Sequence, residues 1–99
     1  MVDNMEKIKT LEDARKEIDR VDNDLKTAFL ARMELIDQIA RIKAGTGGPV
    51  YNPDREKAMI DRLTADVEPR FQESYIRFLK EMLSISKDYQ KKRLDQGQA

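Results

Sequence analysis

The apolar positions of the chain fall into three helical stretches separated by Gly and Pro. In the first, Leu11, Ala14, Ile18, Val21, Leu25, Ala28, Arg32, Leu35, Ile39 and Ile42 follow one another at an unbroken spacing of three and four residues. This is a heptad seam with one charged intruder. Thr10-Leu11-Glu12-Asp13 opens it in the manner of a capping box, and neither Gly nor Pro interrupts the run before Ala44. Gly45-Thr46-Gly47-Gly48-Pro49 then marks a flexible turn. A second helix starts with Asn52 as N-cap and Pro53 at its first position, and should end near Asp66, before Pro69. The third is expected from about Arg70 into the last ten residues. Phe71, Tyr75, Phe78, Met82, Ile85 and Tyr89 form one stripe along it, and Ile76, Leu79 and Leu83 form another beside it. No strand-like alternation or internal repeat is present. The expected fold is therefore all-α, one domain over residues 1–99 with three helices, one very long, and frayed ends at 1–8 and 96–99.

The length of the first helix has a consequence for assembly. From Leu11 to Ala44 it would extend ~50 Å, whereas a compact domain of this size has a radius of gyration of about 13 Å. Two shorter helices cannot cover it. Pairing with a second copy buries the seam, so a homodimer is expected. The aromatic stripe of the third helix is read mostly as core, because such stripes are far more often packing devices than ligand boxes. Ser86 and Gln90 continue the neighbouring stripe, so both should face the interior and need polar partners.

Composition narrows the chemistry. Nineteen Lys and Arg balance nineteen Asp and Glu, so no net field gathers nucleic acid or an anionic membrane, and neither partner is expected. The 39% of hydrophobic residues is lean beside 38% charged, which again favours elongated helices or a partner. With no Cys and no His, thiolate nucleophiles, Cys/His zinc sites and imidazole acid-base chemistry are excluded. No metal and no cofactor are expected. No run approaches the ~20 apolar residues of a membrane span, and Met1-Val2-Asp3-Asn4 does not read as a signal peptide, so a cytoplasmic protein is the default expectation.

Arg32 is the most informative residue, since a guanidinium on an apolar seam requires an anion. Alone, it reads as an internal salt bridge to Asp or Glu, or as snorkelling. Lys43 changes this, because it lies at nearly the same azimuth and ~16 Å along the helix, a gap that two long side chains could close on a small anion. Arg15 lies ~25 Å from Arg32 on the same helix, so the two could hold one small ligand only across a dimer. Taken alone, Arg15 is a solvated charge flanking the seam. The Asn52-Pro53-Asp54-Arg55-Glu56 start of the second helix offers free N–H groups, an Arg and a Glu, although Asp54 needs no role beyond capping. The Gly-rich turn lacks the Gly-Lys-Ser/Thr ending of a phosphate loop.

As an ordered set, these residues resemble the all-helical chorismate mutases, small intertwined homodimers of aromatic amino-acid biosynthesis. The likeness rests on Arg15 in Ala14-Arg15-Lys16-Glu17-Ile18-Asp19, Arg32 in Leu30-Ala31-Arg32-Met33 and Lys43 in Ile39-Ala40-Arg41-Ile42-Lys43. Pro49-Val50, Asp54-Arg55-Glu56, Ser86 and Gln90 complete it, with coverage of nearly the whole chain. Asn52 departs from the pattern, standing where relatives carry Asp. The resemblance implies an isomerase that rearranges chorismate to prephenate, an intramolecular pericyclic step without nucleophile, metal or proton transfer. Arg32 and the partner's Arg15 would clamp the carboxylates. Lys43 and Gln90 would donate to the ether oxygen. Glu56, near the Asn52 backbone, would take the ring hydroxyl, with Arg55 and Ser86 supporting the site. An isochorismate pyruvate-lyase of the same fold and a non-catalytic helical dimer or adaptor are the alternatives. Glu56 favours the mutase over the lyase, and Arg32 inside a seam is not required by an adaptor.

Overall fold

The computed structural model describes residues 8–96 and forms three helices, α1 (Leu11–Thr46), α2 (Pro53–Thr64) and α3 (Pro69–Asp95). No strand occurs among the described residues. The ends expected to fray lie outside them, except for Ile8, which is not helical, and Gln96, which caps α3 by donating its backbone N–H to the Lys92 and Leu94 carbonyls. The chain divides into two compact units, Met1–Glu34 and Leu35–Ala99.

The first unit is the N-terminal stretch of α1. Its start follows from local chemistry, with the Thr10 hydroxyl accepting the Asp13 N–H at 3.1 Å. Asp13 reaches back to the Lys9 N–H at 3.4 Å, one residue before the cap, so the expected box is displaced by one residue. Arg20 pairs along the helix with Glu17 at 3.1 Å and Asp24 at 3.7 Å. These pairs are worth a few tenths of a kcal/mol each, about the magnitude of exposed i,i+3 and i,i+4 contacts.

The second unit holds the remainder of α1, all of α2 and all of α3. Helix α1 continues two residues past Ala44 and stops where Gly47 adopts φ 73°, its N–H bonding the Lys43 carbonyl at 2.7 Å. A left-handed residue ends a helix, and glycine takes that conformation without a Cβ clash. Helix α2 begins as expected, with Asn52 accepting the Arg55 N–H and Pro53 at its first position. It ends at Thr64, two residues before Asp66, where Val67 N–H turns back to the Thr64 carbonyl and Gln72 Nε2 donates to the Val67 carbonyl at 3.0 Å.

The core of this unit is the expected one only in part. Ile36 and Ala40 are buried on α1, and Lys43 follows them at the next i+3 step. Leu35, Ile39 and Ile42, the seam positions beside them, are 57%, 38% and 63% exposed. Helix α1 thus presents two faces here: an inner row packed within the unit and an outer apolar seam. On α3 the aromatic stripe is not the core, since Phe71, Phe78 and Ile85 are each 40% exposed or more. The neighbouring row is, with Leu79, Leu83, Ser86 and Gln90 buried. The reason is positional: residues 79, 83, 86 and 90 share one helical face at steps of four and three, and the aromatic row lies to its side.

Candidate active site

The buried row of α3 turns polar at its C-terminal end, and there it meets Lys43. Gln90 is 5% exposed, and its Oε1 accepts from Lys43 Nζ at 2.9 Å. The same ammonium lies 3.5 Å from the Val50 carbonyl, the outer limit of a hydrogen bond. Ser86, one turn earlier and 3% exposed, donates to the Met82 carbonyl at 2.9 Å. Its backbone-directed hydroxyl and the Lys43-bound amide meet the sequence expectation that these two inward-facing polar residues find partners.

The orientation of the Gln90 amide follows from its charge partner. An ammonium has only donors, so it takes the carbonyl end of the amide and leaves the donor end, Nε2, for an acceptor. Withdrawing electron density from the carbonyl oxygen also strengthens Nε2 as a donor.

At the start of α2, Glu56 pairs with Lys87 of α3, whose Nζ is 3.1 Å from Oε2 and 3.4 Å from Oε1. Lys87 also lies 4.6 Å from the centroid of the Tyr51 ring. Asn52 uses its Oδ1 as the α2 cap, and the Arg55 side chain is on the exposed surface. Lys43, Val50 and Gln90 are therefore brought together, and Glu56 is joined to α3 through Lys87. Arg15 and Arg32 belong to the first unit, where Arg15 is exposed and Arg32 half-buried.

A third cluster ties α1 to α3 and was not anticipated. Asp37 Oδ1 accepts from Tyr89 Oη and from Arg93 Nε, both at 2.6 Å, and Oδ2 lies 3.1 Å from Arg41 Nη2. Only the Asp37–Arg41 pair, one helical turn apart, carries a local sequence signal. Tyr89 precedes Gln90, so the cluster fixes α3 beside the residue that meets Lys43. The Tyr89 hydroxyl holds the Asp37 carboxyl below the usual carboxylate range; burial opposes it, and Arg93 and Arg41 add to the lowering. Folding thus gains stability from Asp37 above the unfolded carboxyl's pKa of about 4, and loses it as pH falls through the lower folded value. Asp37→Asn should be less stable than the parent at pH 7. The gap between their urea midpoints should narrow as pH is lowered from about 5 to 3. A gap that stayed constant over that range would assign the cluster no electrostatic role.

No helix among the described residues is long and apolar enough to cross a membrane. Nor do they contain a group of three or more acidic or other ligating side chains placed to hold a metal.

The fold and site define an all-helical chain in whose second unit a part-buried lysine of the long helix meets a buried amide of the last helix. Its family is shown by sequence: a family model described as chorismate mutase type II matches residues 14–91, and the chain belongs to that family. It is 38% identical over 61 residues to the T-protein of Haemophilus influenzae, a stretch covering 62% of this chain and 16% of that protein. It is also 38% identical over 56 residues to a chorismate mutase of Methanocaldococcus jannaschii, covering 57% of each. The chain thus matches less than two-thirds of the length of either relative. No solved structure matches it.

Proposed function

We propose that this chain rearranges chorismate to prephenate, acting as an intertwined homodimer. The observation that carries the proposal is the buried Gln90 amide, held at its carbonyl end by Lys43. Family membership and the named M. jannaschii relative support the same activity. In the reaction the ether C–O bond breaks while a C–C bond forms from the enolpyruvyl methylene to the ring, and no proton moves. Negative charge builds on the ether oxygen. Gln90 Nε2 and an N–H of Lys43 donate to it, in a site where a single such donor is worth about 10²–10³ in rate. Lys43 also meets a carboxylate. Arg32 and the partner's Arg15 hold the dicarboxylate in its compact, reactive conformation, lowering the entropic part of the barrier. Glu56 accepts the ring hydroxyl beside the Asn52 backbone, while Arg55 and Ser86 support the site.

The second copy is inferred from exposure. Leu11, Ile18 and Leu25 on α1 are 66%, 56% and 49% exposed, and Leu35, Ile39 and Ile42 extend the same seam. An apolar seam of this length calls for a partner helix with the same periodicity, which a second copy supplies.

The activity is tested by incubating the purified protein with chorismate and, separately, with isochorismate. Loss of chorismate with formation of prephenate is expected, at a rate well above the uncatalysed one. Release of salicylate and pyruvate from isochorismate, without turnover of chorismate, would assign the lyase instead. Turnover of neither would leave a helical adaptor.

A further inference from the structure

We propose that Lys87 is a specificity-determining positioning residue, which sets the Glu56 carboxylate to receive the hydroxyl of the substrate ring. The inference rests on the mutase function proposed above.

Three elements converge on this ammonium: Tyr51 from the turn before α2, Glu56 from the first turns of α2, and Lys87 from α3. The pair differs from the surface pairs of the same molecule. Lys87 and Glu56 side chains are 26% and 22% exposed, against 78% and 62% for Lys57 and Asp61 on the outside of α2. Exposed pairs such as the latter add little. A partly buried pair joining two helices fixes a rotamer. Lys87 also stands between buried Ser86 and, three residues on, buried Gln90, so it anchors Glu56 to the helical turn that carries the amide donor.

Engagement by Lys87 leaves Glu56 able to act. A carboxylate offers about four acceptor positions, and one ammonium spread over both oxygens at 3.1 and 3.4 Å occupies one on each. An acceptor position therefore remains for a hydroxyl proton. With Lys87 removed, a Glu side chain three bonds from the backbone must be ordered by the substrate itself, and the hydroxyl contact weakens. Tyr51 restrains the ammonium from the loop side, so it also belongs to the device.

The test compares chorismate with an analogue lacking the ring hydroxyl, in the parent and in Lys87→Met, Lys87→Arg and Glu56→Gln. Lys87→Met should lower kcat/KM for chorismate about tenfold to a hundredfold, the weight of a hydrogen bond to a charged group. The preference for chorismate over the deoxy analogue should fall by a similar factor. Lys87→Arg, which keeps the charge, should restore most of that preference, and Lys87→Met should add little in the Glu56→Gln background. An equal fall for both substrates would reduce Lys87 to a structural contact and overturn the inference, as would an unchanged preference. Should Lys87→Met fail to fold, Lys87→Gln serves the same comparison. A parent protein inactive on chorismate would instead overturn the function itself, so the two failures are distinguishable.

Discussion

Dimers of Arg15→Ala and dimers of Arg32→Ala should each be nearly inactive, and a refolded mixture of the two should recover about a quarter of the parent activity. The reason is the distance between the two arginines. Both lie on the same uninterrupted stretch of α1, seventeen residues apart, and a helix rise of 1.5 Å per residue separates them by ~25 Å. No small dicarboxylate spans that gap. If both clamp one substrate, they come from different chains, and each homodimeric variant loses a charged partner at every site. An uncompensated carboxylate in a desolvated site costs several kcal/mol, or about three orders of magnitude in rate. Random refolding at equal concentration makes about half of the dimers mixed, and in each mixed dimer one site of two keeps both arginines. The quarter follows if the sites are independent. Mass measurement would establish the mixed species and kcat their competence. Mixed dimers without activity would leave Arg15 with a structural role in its own chain and no part in holding the substrate.

The three helices were legible because their start and stop signals are local. Thr10, Asn52 with Pro53, and the glycines after Ala44 act on their own few neighbours, and the observed boundaries fall within two residues of those expected. The choice of buried face was less legible. An aromatic stripe and an aliphatic one run side by side on α3, and hydrophobicity alone ranks the aromatic row higher. Packing selected Leu79, Leu83, Ser86 and Gln90, a row ending in two polar residues, of which Gln90 is met by Lys43, a residue 47 positions away in sequence. Long-range pairs leave no periodic trace. That is why Asp37 with Tyr89 and Arg93, separated by 52 and 56 residues, and Lys87 with Glu56, separated by 31, emerged only with the fold. Lys87 did carry a weak signal, since it sits three residues before Gln90 on the same side of the helix. A charged residue beside the buried row reads equally as solvated surface until its partner is known.

Gln90→Glu should turn a nearly pH-independent donor into one that works only in acid. The Gln90 amide donates through Nε2 at any accessible pH, whereas a carboxyl at that position donates only while protonated. Two influences set the crossover. Burial at 5% exposure raises the pKa of the new carboxyl, and the Lys43 ammonium, 2.9 Å from the present Oε1, lowers it. At neutral pH, pairing with Lys43 favours the ionised form, which presents a negative charge to an oxygen that is itself gaining electron density. The loss at pH 7.5 should then be about 10²–10³-fold, the weight of one donor to a developing oxyanion. As pH falls toward the carboxyl's pKa, the lost activity should return by about tenfold per unit, levelling off once pH drops below that pKa. Lys43→Met in the same background would remove the ammonium and should move the crossover upward, although the rate itself falls with the second donor. A kcat profile for Gln90→Glu that ran parallel to the parent's from pH 4 to 8 would mean that the amide does not touch the breaking bond.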